Sequence, residues 1–134
     1  MRFTKITIIR TSRPEKKDIN QELQWFGGTL GLFNLRDKDK SCFRIFITLL
    51  KGLKENKKLT SDEIAIRTKL TRGTVIHHLN KLMSSGIVIK EHNRYILRMD
   101  NLEEMVDYIK RDVDQAWDKL KEVAKDIDEK LGLK

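Results

Sequence analysis

Leu59 to Leu82, LTSDEIAIRTKLTRGTVIHHLNKL, is the stretch that decides how this chain folds. Two helix starts are written in it. Thr60, followed three residues later by Glu63, is a capping box, in which a hydroxyl accepts from the N3 amide and a carboxylate reaches back to the cap. The short helix it opens turns Ile64 and Ala65 inward and ends near Lys69. Leu70 bridges to Thr71, a second cap, beyond which Val75, Leu79 and Leu82 recur at helical spacing as a buried stripe. Gly86 stands where a left-handed residue closes a helix.

The same patterning extends to both sides. Upstream, Ser41 is placed to cap a helix whose Cys42, Phe46, Leu49, Leu50 and Leu53 share one face and whose Arg44, Thr48 and Lys51 face water. Downstream, Ile87-Val88-Ile89 and Tyr95-Ile96-Leu97 flank the polar tip Lys90 to Arg94, the pattern of a two-stranded hairpin. Three helices and then a hairpin make a winged helix-turn-helix. The expected fold class is therefore mainly α with a small β wing (α+β).

Residues 59–82 resemble the helix-turn-helix of ArsR-type regulators and their MarR-like relatives, and Ser85-Gly86-Ile87-Val88 resembles their entry to the wing. Two residues depart from the pattern: Thr68 and Lys69 stand where such motifs usually carry leucine and glycine. More loosely, the whole chain resembles a small archaeal group of winged-helix regulators. The resemblance implies that Thr71 to Ser84 is a recognition helix whose first turns enter a DNA major groove, and that the wing, residues 87–98, lies near the minor groove.

The side chains suit that role independently. Arg72 is able to make two hydrogen bonds to guanine, Thr71 and Thr74 to meet phosphate or a base edge, and Lys81 to reach the backbone. Gly73 leaves room for close approach. Ile76 points away from the buried stripe toward a thymine methyl, and His77 projects outward. On the wing, Lys90, Asn93 and Arg94 complete the expected DNA-contacting set, with Arg94 best suited to a minor groove by charge and length. Any one of the helix residues would also suit a solvated helix face, though less so the set, and the set carries the reading.

From Met99 onward the sequence repeats every seven residues. Met99, Val106, Val113, Leu120 and Ile127 occupy one position of the heptad and Leu102, Ile109, Ala116, Val123 and Lys130 the other. Sustained over about four heptads, this pattern predicts a long coiled-coil helix. Leu102, Val106, Ile109, Val113, Ala116, Leu120, Val123 and Ile127 are the expected dimerisation residues. A second chain or the chain's own domain could cover the stripe; the regular repeat favours a homodimer. The resulting division is an N-terminal extension over 1–40, a winged-helix domain over 41–98 and a dimerisation helix over 99–134.

In the extension, the β-branched run within Arg2 to Arg10 predicts a strand. Pro14 and Asp18 are entries to a short helix bearing Ile19, Leu23 and Phe26, which Gly27-Gly28 would end. Trp25, Phe26, Leu32 and Phe33 are expected to cover the core or a subunit boundary. The glycines lack the spacing and lysine of a phosphate-binding loop.

Charge points to the partner. The chain carries a net +8 over 134 residues, distributed as +8 over residues 1–58, +4 over 59–98 and −4 over 99–134. A basic body with an acidic last segment fits a polyanion such as double-stranded DNA, because lysine and arginine displace counterions from phosphate. With no apolar run near the roughly 20 residues a membrane span needs, a membrane role is excluded. Met1 to Arg10 lacks the apolar core of a signal peptide, so the expected location is cytoplasmic. A single cysteine, Cys42, makes no intrachain disulfide and no thiolate metal cluster. His77 and His78 are adjacent and so point apart on a helix, and no metal or other cofactor is expected. No nucleophile with a neighbouring base and no paired carboxylates can be assigned, so the chain is not read as an enzyme. The leading reading is a homodimeric, sequence-specific transcriptional regulator. Its rivals are a winged-helix protein-interaction module and, less well supported for want of stacking aromatics, an RNA-binding adaptor.

Overall fold

The structure is a computed structural model, which describes residues 18–32 and 40–134. The strand expected within Arg2 to Arg10, the helix entry at Pro14 and the position of Phe33 lie outside the described residues. Among these, α1 spans Ile19–Thr29, α2 Ser41–Lys54, α3 Ser61–Thr68, α4 Arg72–Ser84 and α5 Leu102–Leu131. Three short strands, β1 (Leu59–Thr60), β2 (Val88–Glu91) and β3 (Arg94–Leu97), form one antiparallel sheet in the order β1-β3-β2. This is a winged-helix architecture followed by a long helix. The chain divides into two compact units, one ending at Arg98 and the other spanning Met99–Lys134.

Both caps read from the sequence are present. The Thr60 side chain accepts from the Glu63 amide at 3.1 Å while the Glu63 carboxylate accepts from the Thr60 amide at 3.4 Å. At α4, the Thr71 hydroxyl accepts from the Thr74 amide at 3.2 Å. Val75, Leu79 and Leu82 are fully buried together with Ile64 of α3 and Phe46 and Leu49 of α2. Each such side chain contributes about 1.5 to 3 kcal/mol by leaving water. Gly86 takes φ 76° and turns the chain from α4 into the wing. At Gly52 of α2 the need is for space: a Cβ there would lie 3.0 Å from the Lys57 carbonyl, which the loop brings down before β1.

Several expectations need correction. Ser41 does not cap α2. Lys40 holds the cap position in a left-handed conformation with no side-chain bond, and Ser41 is the first helical residue, buried. The core face of α2 is wider than its apolar stripe, because Ile45 is fully buried and Thr48 is largely buried, its hydroxyl donating to the Arg44 carbonyl at 2.9 Å. Arg44 is half-buried and donates to the Thr68 carbonyl at the end of α3. In α1, Asp18 caps as expected, but the helix runs through Gly27 and Gly28 to Thr29. Phe26 stacks on Phe46 with centroids 6.4 Å apart, Trp25 is half-buried, and Leu32 is fully buried. The wing has three strands, since Leu59 and Thr60 pair with Tyr95 and Arg94. Its tip is the two-residue turn His92-Asn93, both at positive φ, as a tight two-residue hairpin turn requires.

The two departures in the helix-turn-helix are absorbed locally. Thr68 is buried, but its hydroxyl donates to the Ile64 carbonyl at 2.7 Å, so no polar group is stranded. Lys69 adopts the glycine-like conformation itself, φ 58° and ψ 35°, closing α3 as a left-handed cap. A side chain in that region costs on the order of 1 kcal/mol. Lys69→Gly should therefore raise the melting temperature by about 3 to 5 °C. A thermal melt followed by circular dichroism checks this, and an unchanged or lowered midpoint would mean the lysine carries no conformational cost.

Candidate nucleic-acid interface

α4 begins with its first turn open to solvent. Thr71, Arg72, Gly73 and His77 are exposed, while Thr74, Ile76 and Lys81 are half-buried. Ile76 is thus less free than its angular position implied. The Thr71 and Thr74 hydroxyls are bonded to each other at 2.9 Å, which orients both at the helix start. Arg72 extends over the N-terminal turn of α3, where its Nε lies 3.6 Å from a carboxylate oxygen of Asp62. Both side chains remain about 70% exposed, so the pair is worth little to stability and either member is free to exchange partners.

Sequence reasoning missed Asp62, although the capping box placed it: with Thr60 at the cap, position 62 falls on the outer face of the first turn. Ile66 was also missed. It is 77% exposed on α3, beyond the inward Ile64. His78 is half-buried and meets His77 edge to face, with centroids 5.3 Å apart.

On the wing, Lys90, Asn93 and Arg94 are all exposed. Lys90 places its ammonium over the Tyr95 ring, 5.6 Å from the centroid. Arg94 lies in β3 rather than in the turn. Its Nη1 donates to the Lys58 carbonyl at 3.0 Å and to the Glu63 carboxylate at 3.2 Å, linking the wing to the α3 cap. Lys58 in turn pairs with Glu91 on β2. Lys58, outside the expected contact set, joins the basic edge of the wing through this link; the basic run before β1 is the signal that marks it.

The carboxyl of Glu63 is held below its ordinary range, chiefly by the hydrogen bond from the Thr60 amide, then by the Thr60 hydroxyl and the charges of Arg94 and Arg67. Glu91 is lowered by the hydrogen bond and charge of Lys58. A carboxyl with a depressed folded value stabilises the fold above its unfolded value, and the contribution is lost as pH falls through the folded one. Glu63→Gln should therefore melt lower than wild type at neutral pH, with the difference shrinking in acid below about pH 4. Melts across that range test it; a difference independent of pH would remove the carboxylate's charge from the cap.

α5 is capped at both ends, by Asn101, whose side chain accepts from the Glu104 amide at 2.8 Å, and by Gly132 at φ 69°. Met99 precedes the helix. Of the expected dimerisation residues, Ile109 is buried within the single chain, as is Met105, and Leu102 and Val113 are half-buried. Val106, Ala116, Leu120, Val123 and Ile127 are exposed. Trp117 and Leu131 join them at 69% exposure each. No three histidine, cysteine or acidic side chains come together as a metal site among the described residues, and no helix among them is long and apolar enough to cross a membrane.

A capped helix with an open first turn, set on a three-helix core beside a basic wing, defines a winged helix-turn-helix DNA-binding protein. Residues 47–90, from the middle of α2 to Lys90 of β2, match the family described as bacterial regulatory protein, arsR family, and the chain carries a helix-turn-helix of that type. Among curated proteins and solved structures, none matches the chain at a significant level.

Proposed function

We propose that the protein is a sequence-specific, homodimeric regulator of transcription that places α4 in a DNA major groove and the wing near the adjacent minor groove. The observation that carries this reading is the exposed start of α4, where Thr71, Arg72, Gly73 and His77 face solvent while Val75, Leu79 and Leu82 are buried beneath them. Arg72 reads a base edge; Thr71, Thr74 and Lys81 meet the backbone or a neighbouring base; Ile76 offers an apolar edge. Lys90, Asn93 and Arg94 serve the wing. Residues 1–40 act as an extension, 41–98 as the DNA-binding domain and 99–134 as the dimerisation helix. The protein acts in the cytoplasm without a cofactor or catalytic step.

Selection of preferred duplexes from a random pool, followed by titration at several salt concentrations, tests the reading. A preference of about a thousandfold or more over scrambled duplex and a steep loss of affinity with salt are expected. Binding without preference and without salt dependence would favour the second reading, a winged-helix protein-interaction module, to which the exposed Ile66 on α3 lends an apolar contact point. Arg94→Ala should weaken binding to all duplexes alike, with a salt slope shallower by about one unit per lost phosphate contact. Unchanged affinity and slope with a lowered melting temperature would reduce Arg94 to a brace between the wing and the α3 cap.

A further inference from the structure

We propose that the wing reads a narrow, A·T-rich minor groove through His92, whose imidazole is protonated in the complex. This rests on the proposed binding of DNA and adds to it a residue and a base composition. The basic side chains of the wing are held within the chain. Arg94 lies in β3, where it is bonded to the Lys58 carbonyl at 3.0 Å and to the Glu63 carboxylate at 3.2 Å. Lys90 rests over the Tyr95 ring, and Lys58 pairs with Glu91. Glu91 and Arg94 face each other as the last pair of the ladder, so the apex of the hairpin is His92 and Asn93. Both are exposed. His92 is the longer of the two and the one able to carry charge.

The backbone points the same way. His92 sits at φ 49° and Asn93 at φ 66°. A two-residue turn with both residues at positive φ favours asparagine, aspartate or glycine, and disfavours a bulkier side chain. An exposed side chain buries little to offset that strain, so its use lies outside the chain. The floor of the minor groove supplies a match. Every A·T pair presents adenine N3 and thymine O2 as acceptors there, whereas G·C adds an amino donor. A-tracts narrow the groove and deepen its negative potential, which draws in basic side chains, histidine among them. A protonated imidazole donates from both ring nitrogens and a neutral one from a single nitrogen. The negative potential also favours the proton. Histidine changes charge between about pH 5 and 8, so binding takes up a proton and tightens as pH falls. The other charged groups around the apex leave this to His92: Glu91 is paired with Lys58, Glu63 with Arg94, and Lys90 lies on Tyr95.

The test uses the full chain and a duplex selected from the random pool, with the base pairs that flank its core set to A·T, G·C or I·C. Inosine lacks the minor-groove amino group of guanine and keeps the major-groove edge of a G·C pair. Titrations at about pH 6 and about pH 8, at one salt concentration, should show A·T and I·C flanks bound about tenfold more tightly than G·C at the lower pH, with the ratio shrinking at the higher. Protons taken up at the shared core, by His77 for instance, cancel in that ratio. His92→Asn suits the turn, so it should melt no lower than wild type and lose the flank preference at both pH values. His92→Arg should keep the preference without its pH dependence. A preference that survives in His92→Asn would overturn the assignment to His92, and A·T favoured over I·C would move the reading to the major groove. A wild-type preference that does not change with pH would remove the proton. Selective binding indifferent to the flank would overturn this inference and leave the DNA-binding reading intact, whereas the absence of any preferred duplex would overturn that reading itself.

Discussion

Arg72→Ala should lose roughly 5- to 150-fold in affinity for a selected duplex, while affinity for a scrambled duplex falls far less. The estimate follows from a bidentate arginine–guanine contact, worth about 1 to 3 kcal/mol of discrimination, at about 1.4 kcal/mol per tenfold. The fold is not at stake, because Arg72 is exposed and only ion-paired to Asp62, and the buried face of α4 is built from Val75, Leu79 and Leu82. Asp62 sharpens the test. Its carboxylate lies 3.6 Å from the Arg72 Nε in the free protein, so Asp62→Asn should leave the preference for the selected duplex in place and strengthen binding to every duplex by removing a negative charge near phosphate. Titrations of the three proteins against both duplexes at one salt concentration, with circular dichroism as the folding control, separate the roles. Equal losses on both duplexes for Arg72→Ala would make Arg72 a phosphate contact with no part in reading bases.

The winged helix was legible because its signals are local. A hydroxyl and a carboxylate three residues apart announce a capped helix, and Val75, Leu79 and Leu82 announce its buried face, without reference to any other part of the chain. What was missed depends on partners far apart in sequence. Pairing of Leu59 and Thr60 with β3 is invisible in a two-residue strand. Burial of Thr48 needs a hydroxyl that turns back on its own helix, and the bond from Arg44 to the Thr68 carbonyl joins α2 to α3. Arg94 was readable as a basic wing residue but not as a link to Glu63, since only the fold brings them within 3.2 Å. In α5 the period was legible and the choice of seam was not, because Ala116 and Val123 fit an apolar pattern as well as Trp117 and Ala124 do and all four are exposed.

Replacing Leu120 and Ile127 together by aspartate in the full chain should weaken self-association by at least about three orders of magnitude. Each is 58% and 49% exposed in the single chain, so each has apolar surface to bury only when a partner covers it. At about 1.5 to 3 kcal/mol per fully buried aliphatic side chain, and with about half of that still to be gained at each position, two residues from each of two chains supply about 3 to 6 kcal/mol, and the cost of bringing four carboxylates together carries the loss past the roughly 4.1 kcal/mol of a thousandfold change. Substitution here is a cleaner probe than removal of residues 99–134, which would also take away the buried Met105 and Ile109. The helix itself should persist, since both positions lie on an exposed face between the Asn101 and Gly132 caps, and the far-ultraviolet spectrum should be little changed. DNA binding should fall with dimerisation, because a twofold protein engages two half-sites and a monomer only one. The affinity for a single half-site, which depends on α4 and the wing, should remain. Sedimentation velocity at micromolar concentration and titration against full and half operators measure the two effects. A variant that sediments as wild type would place the dimer interface elsewhere, and a monomeric variant with undiminished operator affinity would show that dimerisation and DNA binding are independent.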